Sequence, residues 1–153
     1  LINKILAKVN NKNILLLSFG RNEKNFHDFG NFEKINLNEI KSESFDLKIA
    51  YSASDLFIAP SIQESFGQTA LEAASCCVPT VCFEKNGISE IVSHKKNGYI
   101  TKEEDTNDFA FGIDWCLDNI TKNKMQENLS IIKNKFSYNL IGNKYKKIYE
   151  KLI

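Results

Sequence analysis

The 153 residues carry 20 basic and 19 acidic side chains, a net charge of +1, with 42% hydrophobic and 25% charged residues. That balance is ordinary for a soluble globular protein. It lacks the basic excess of a general nucleic-acid binder and holds neither an apolar run able to span a bilayer nor a signal peptide. One domain over residues 1–153 is expected, burying roughly 68–70% of its unfolded surface without disulfides.

Leu1, Ile2, Ile5, Leu6 and Val9 recur at helical spacing, Asn10 to Asn13 break the pattern, and Ile14-Leu15-Leu16-Leu17 reads as a buried strand. Phe26 to Phe29 reads as a short second strand ending at Gly30, whereas residues 31–44 are polar and irregular. A helix from Phe45 to Ser52 leads into the apolar run Asp55-Leu56-Phe57-Ile58-Ala59, closed by Pro60-Ser61, a buried strand delivering a loop at its carboxyl end. Thr69 to Ser75 is rich in helix formers, so a helix begins near Gly67. Thr80 to Phe83 is the next strand, Ile88 to His94 a short helix, and Tyr99-Ile100 a last short strand. Such alternation predicts an α/β fold, a Rossmann-like parallel sheet with flanking helices and right-handed crossovers.

From Thr106 onward no strand pattern remains, and a C-terminal helical tail is expected. Phe109, Ile113, Trp115, Cys116 and Leu117 line one helix, and Met125, Leu129, Ile132 and Phe136 another. Ser137 can cap a last helix whose Ile141, Tyr145, Ile148, Tyr149 and Leu152 form a stripe. Its other face carries Lys144, Lys146, Lys147 and Lys151. These read as a solvated face, or more sharply as a contact for anionic lipid, at about 1 kcal/mol per lysine.

Cys76, Cys77, Cys82 and Cys116 have no Cys-x-x-Cys spacing, and His27 and His94 do not flank them, so a zinc site is not expected. Reduced thiols in and beside a core suit the cytoplasm. Met125 is the sole methionine and the chain opens at Leu1. It reads as a piece of a longer polypeptide.

The most informative stretch is Glu64-Ser65-Phe66-Gly67-Gln68-Thr69-Ala70-Leu71-Glu72, which sets two carboxylates either side of a loop-to-helix boundary. In open α/β sheets ligands bind where strands end and helices begin, and a helix N-terminus offers unpaired N–H groups to an anion. Gly67 allows close approach to the backbone. A pair of glutamates eight apart is, without that context, usually two solvated side chains. Asn86 and Gly87 read as a turn, Glu90 as a helix-surface carboxylate, and Thr69 equally as a residue that steadies the first helical turn.

These residues, with Pro60-Ser61 before them, Leu71-Glu72-Ala73, Pro79, Gly87-Ile88-Ser89-Glu90-Ile91-Val92 and Asn97-Gly98-Tyr99-Ile100, resemble the second domain of retaining family-4 glycosyltransferases of GT-B architecture. The resemblance implies a donor-binding domain for a nucleotide-diphosphate sugar, used without an obligatory metal. Glu72 would hold the ribose through both hydroxyls, and Glu64, the catalytic residue, would contact the donor sugar's hydroxyls on the reacting face. Backbone amides of Phe66, Gly67, Gln68 and Thr69 would face sugar and pyrophosphate, with sugar choice set around Gln63, Phe66 and Asn86.

A glycan or lipid-linked acceptor would come through an N-terminal domain that this chain lacks, in surface polysaccharide biosynthesis, in the cytoplasm and in peripheral contact with the inner face of the membrane. The family's first strand, central to the sheet and followed by a basic pair, is also missing. Arg21 and Lys24 follow a different strand and do not inherit that pair's role. At Cys77 the family usually has glycine. Two other readings stay open: a sugar-nucleotide epimerase, which would want further acids or histidines, and a non-catalytic nucleotide-binding or partner-docking module in which Glu64 is idle.

Overall fold

The computed structural model describes residues 1–11, 13–20, 32–41 and 44–152. In chain order the elements are α1 (Ile2–Leu6), β1 (Leu15–Ser18), β2 (Glu33–Asn36), α2 (Phe45–Ala53), β3 (Phe57–Ala59), α3 (Gln68–Ser75) and β4 (Thr80–Phe83). A 3₁₀ helix (Gly87–Glu90), β5 (Gly98–Thr101), α4 (Thr106–Asn119), α5 (Lys122–Phe136) and α6 (Tyr138–Tyr149) complete the chain. The expected α/β alternation and helical tail are therefore present. The strand read at Phe26 to Phe29 lies outside the described residues, as do Arg21, Lys24 and His27.

All strand pairs are parallel, but the strands fall into two groups: β1 pairs β2, and β3, β4 and β5 form a three-stranded sheet in that order. Neither β1 nor β3 has a second strand partner among the described residues. Between them runs a trench of about 630 Å³, lined on one side by Leu16, Leu17, Ser18 and Phe19 and on the other by Leu56, Phe57, Ile58 and Pro60.

β4 is buried at all four positions because both of its faces are covered, which is why it reads as a continuous apolar run. Alternate side chains serve opposite layers. Val81 and Phe83 join Ile5 and Leu6 of α1, Val9 just after it, and Phe109 and Ile113 of α4, while Cys82 joins Ala59, Ala70, Ala74, Ile88 and Ile132 on the face covered by α3 and α5.

Two regions depart from the sequence reading. Glu33–Asn36 falls in the stretch whose sequence reads as irregular, yet it forms β2, in register with β1 from Leu15↔Glu33 to Ser18↔Asn36. All four of its residues are exposed, so no alternation marks it. The helix expected over Ile88 to His94 shortens to the 3₁₀ turn, because Asn97 draws the chain back: its Oδ1 accepts the Ser93 N–H at 2.6 Å and its Nδ2 donates to the Ile91 carbonyl at 3.2 Å.

Helix ends follow side-chain chemistry. Ser44, Thr121 and Ser137 each accept an N–H from the first turn of the helix that follows, and Asp105 accepts two, from Asn107 and Asp108. Those two bonds hold the Asp105 carboxyl below its ordinary pKa. α3 ends differently. Cys77 sits at φ 61°, its N–H donating to Ala74 and that of Val78 to Ala73, a left-handed helix cap that ordinarily takes glycine.

A β-carbon in that conformation is strained. Cys77→Gly is accordingly expected to stabilise the fold by about 0.5–1 kcal/mol, the strain relieved less the extra chain entropy glycine brings. A rise in the urea midpoint checks this; an unchanged or lower midpoint would mean that packing of the half-buried thiol outweighs the strain.

Candidate functional site

The motif loop leaves β3 at Ala59 and returns to regular structure at Gly67, where φ is 88°, a left-handed conformation that side chains resist. A Cβ there would also come within 2.5 Å of Ile88 Cγ1. No side chain caps α3. The N–H groups of Gln68 and Thr69, both exposed residues, have no acceptor among the described residues. The start of this helix therefore keeps donors and a partial positive charge available to an anion.

Glu64 is exposed, and its backbone is pinned, its carbonyl accepting the Gly87 N–H at 2.7 Å. Gly87 passes so close that a Cβ would run into the Ser65 carbonyl and the Phe66 nitrogen. Asn86 completes this clasp: its Oδ1 accepts from Ile88 and Ser89, and its Nδ2 donates to the Ser61 carbonyl at 3.2 Å. Asn86 is thus committed to the turn, as the sequence suggested. The Glu64 carboxylate makes no hydrogen bond among the described residues, and nearby Lys85 is drawn to Glu103 at 2.9 Å, which raises the lysine's pKa.

Glu72 is half-buried on α3 and accepts a hydrogen bond from the Tyr51 hydroxyl at 3.1 Å. Tyr51 is 3% exposed, and Phe19 and Phe57 pack edge-on against its ring with centroids 5.4 and 5.9 Å away. Burial first, then the Glu72 charge, push its pKa well above the ordinary phenol value, so the hydroxyl stays protonated and donates.

The two acids do not share a cavity. Glu72, Phe66 and Gln68 line a broad groove of about 1320 Å³ between α2 and α3 on one side and α5 and α6 on the other, together with Lys48, Lys133, Lys135 and Phe136. Glu64 lines a separate recess of about 360 Å³ with Gln63, Ser65, Lys85 and Asn86. Thr69 faces the trench, and Gly67 is buried between. Phe66 turns its ring to Phe136, 5.6 Å away, which closes the loop over the helix and divides the concavity expected between the acids.

Sequence reasoning passed over Tyr51 and Lys85. Tyr51 lies 21 residues before its partner, on a helix whose pattern marks it only as a core position. His94 is structural: its Nδ1 accepts the Ile100 N–H at 3.1 Å and its ring packs on Tyr99. Burial pushes the Cys82 and Cys116 thiols up to about 12, so neither is a nucleophile near neutral pH. Among the described residues no group of His, Cys, Asp or Glu is placed to hold a metal ion, and no helix is long and apolar enough to cross a membrane.

Residues 4–132 match the family of glycosyl transferases group 1. D-inositol 3-phosphate glycosyltransferase of Corynebacterium jeikeium is 33% identical over 103 residues, 67% of this chain and 25% of that protein. The N,N'-diacetylbacillosaminyl-diphospho-undecaprenol alpha-1,3-N-acetylgalactosaminyltransferase of Campylobacter jejuni is 29% identical over 105 residues, 65% of this chain and 27% of that protein. The chain thus spans about a quarter of the length of these curated relatives. Among solved structures, Anabaena HepE in complex with UDP and glucose superposes on 98% of this chain and 44% of its own, with a TM-score of 0.76 at 19% identity. The Rossmann-like, GT-B type of fold read from the sequence agrees with these neighbours. With most of its length matched by the family, the chain belongs to the group 1 glycosyl transferases.

Proposed function

We propose that this chain is the C-terminal, donor-binding domain, residues 1–153, of a retaining family-4 glycosyltransferase. The parent enzyme takes a nucleotide-diphosphate sugar, binds its ribose at Glu72, meets its pyrophosphate with the amides of Phe66, Gly67, Gln68 and Thr69, and uses Glu64 at the reacting face of the sugar. The observation that carries this reading is the start of α3, where uncapped amide donors lie within one turn of a carboxylate held in place by Tyr51. Helix-end donors oriented before the reaction can stabilise a departing diphosphate, so no metal is required.

HepE, crystallised with UDP and glucose, favours a uridine diphosphate hexose. The Campylobacter enzyme, named for a diphospho-undecaprenol substrate, favours a lipid-linked acceptor. We extend the proposal to a lipid-linked or glycan acceptor in surface polysaccharide synthesis at the cytoplasmic side of a membrane. α6 supports peripheral membrane contact: Tyr149 on its apolar stripe and Leu152 just past its end are 62% and 77% exposed, and Lys144, Lys147 and Lys151 on the other face are exposed as well. The trench between β1 and β3 is where the family's first strand would lie. In this reading residues 1–153 form the donor half of the site and by themselves would be nearly inactive.

A thermal-shift panel of UDP-, GDP- and ADP-sugars on the full-length protein tests the reading. One donor should raise the melting temperature, by mass action worth about 2.7 kcal/mol at a hundredfold excess over its dissociation constant. Glu72→Ala should abolish that shift. If no nucleotide-sugar stabilises the wild type, the proposal is wrong.

A further inference from the structure

We propose that Tyr51 is a positioning residue for nucleotide recognition, holding one oxygen of Glu72 so that the carboxylate is presented to the ribose in a single orientation. The proposal rests on the reading of Glu72 as the ribose ligand, and it assigns a role to a residue outside the motif loop.

Three observations converge on Tyr51. Its ring cannot turn freely, because it is buried with Phe19 and Phe57 against two of its edges. Its hydroxyl reaches Glu72 Oε2 at 3.1 Å across 21 residues of sequence, from α2 to α3. The carboxylate it meets lines the open groove rather than the core. A carboxylate has about four acceptor positions on two oxygens. One bond from Tyr51 leaves Oε1 and a further position on Oε2 for a vicinal diol, which is the pattern that two adjacent hydroxyls recognise.

An unsupported glutamate on a helix surface samples several rotamers, and the diol would have to select one of them. With the Tyr51 bond in place that ordering is complete before the ligand arrives, which favours binding through preorganisation. A bond that merely tied α2 to α3 would stabilise the fold but would not distinguish one sugar ring from another. The two roles therefore differ in one measurable respect, the preference for a ribose over a ring lacking a hydroxyl.

The experiment is calorimetric titration of the full-length protein with UDP and 2′-deoxy-UDP, and with GDP and 2′-deoxy-GDP, using whichever base the wild type binds more tightly. Tyr51→Phe keeps the ring and its packing while removing the donor. It should weaken the ribonucleotide about tenfold, the scale of one hydrogen bond to a charged group, and weaken the deoxynucleotide, which keeps only its 3′-hydroxyl for Glu72, distinctly less. Should Tyr51→Phe melt below the assay temperature, Glu72→Asp serves instead, drawing the carboxylate back from the hydroxyl at a half-exposed position, with the same selective loss expected. Equal weakening of both ligands, or undiminished preference for ribose, overturns the proposal. A wild type that binds neither base removes the ribose reading and this inference with it, whereas binding without selective loss removes this inference alone.

Discussion

Glu64→Gln in the full-length enzyme is expected to lower sugar transfer by about a hundredfold or more while leaving nucleotide affinity essentially unchanged. The substitution preserves size and removes only charge. The Glu64 backbone is fixed by the bond from Gly87, and the carboxylate is neither hydrogen-bonded nor neutralised among the described residues, Lys85 being engaged with Glu103. A carboxylate held at a loop end and left without a partner is available to polar groups of a bound sugar. Because it lines a recess separate from the groove of Glu72, its loss should register in turnover rather than in nucleotide binding. Product formation and calorimetry on one preparation separate the two quantities. Transfer undiminished in Glu64→Gln would remove this residue from the chemistry.

Phe109→Ala is expected to destabilise the fold by about 3–5 kcal/mol, the range for emptying a large aromatic site in a core. Phe109 is fully buried and packs on Phe83 with ring centroids 4.9 Å apart, joining α4 to the central strand β4. Against a usual total of about 5–15 kcal/mol, that is a large share. A domain of this size should melt roughly 6–20 °C lower. Tyr138→Ala is the matched control: at 95% exposure it should change stability by no more than about 0.5 kcal/mol. A comparable loss at both positions would mean that the core is not where the packing places it.

What could be read from the sequence is what burial writes into it. β1, β3, β4 and β5 were found because covered strands select apolar runs, and Ser137 announced α6 because a cap needs a hydroxyl at one position. β2 was missed for the converse reason. Its residues face solvent, and the ladder to β1 uses backbone groups that every residue carries. The motif loop was legible as a unit, but Gly67 was read as room for a ligand, whereas the structure needs it for a left-handed turn packed against Ile88. How the loop partitions the surface was not legible, because it depends on Phe66 meeting Phe136 across 70 residues, a contact that no local spacing encodes. Tyr51 escaped for the same reason.

Among the described residues, β1 and β3 each offer an unclaimed parallel edge. An edge of that kind is a template, and the next strand to meet it need not be the intended one. A strand laid in the trench between them would satisfy both edges at once. Prepared by itself, this polypeptide would offer them to its neighbours, so its solubility would be governed less by its near-neutral charge than by whatever competes for those backbone groups first.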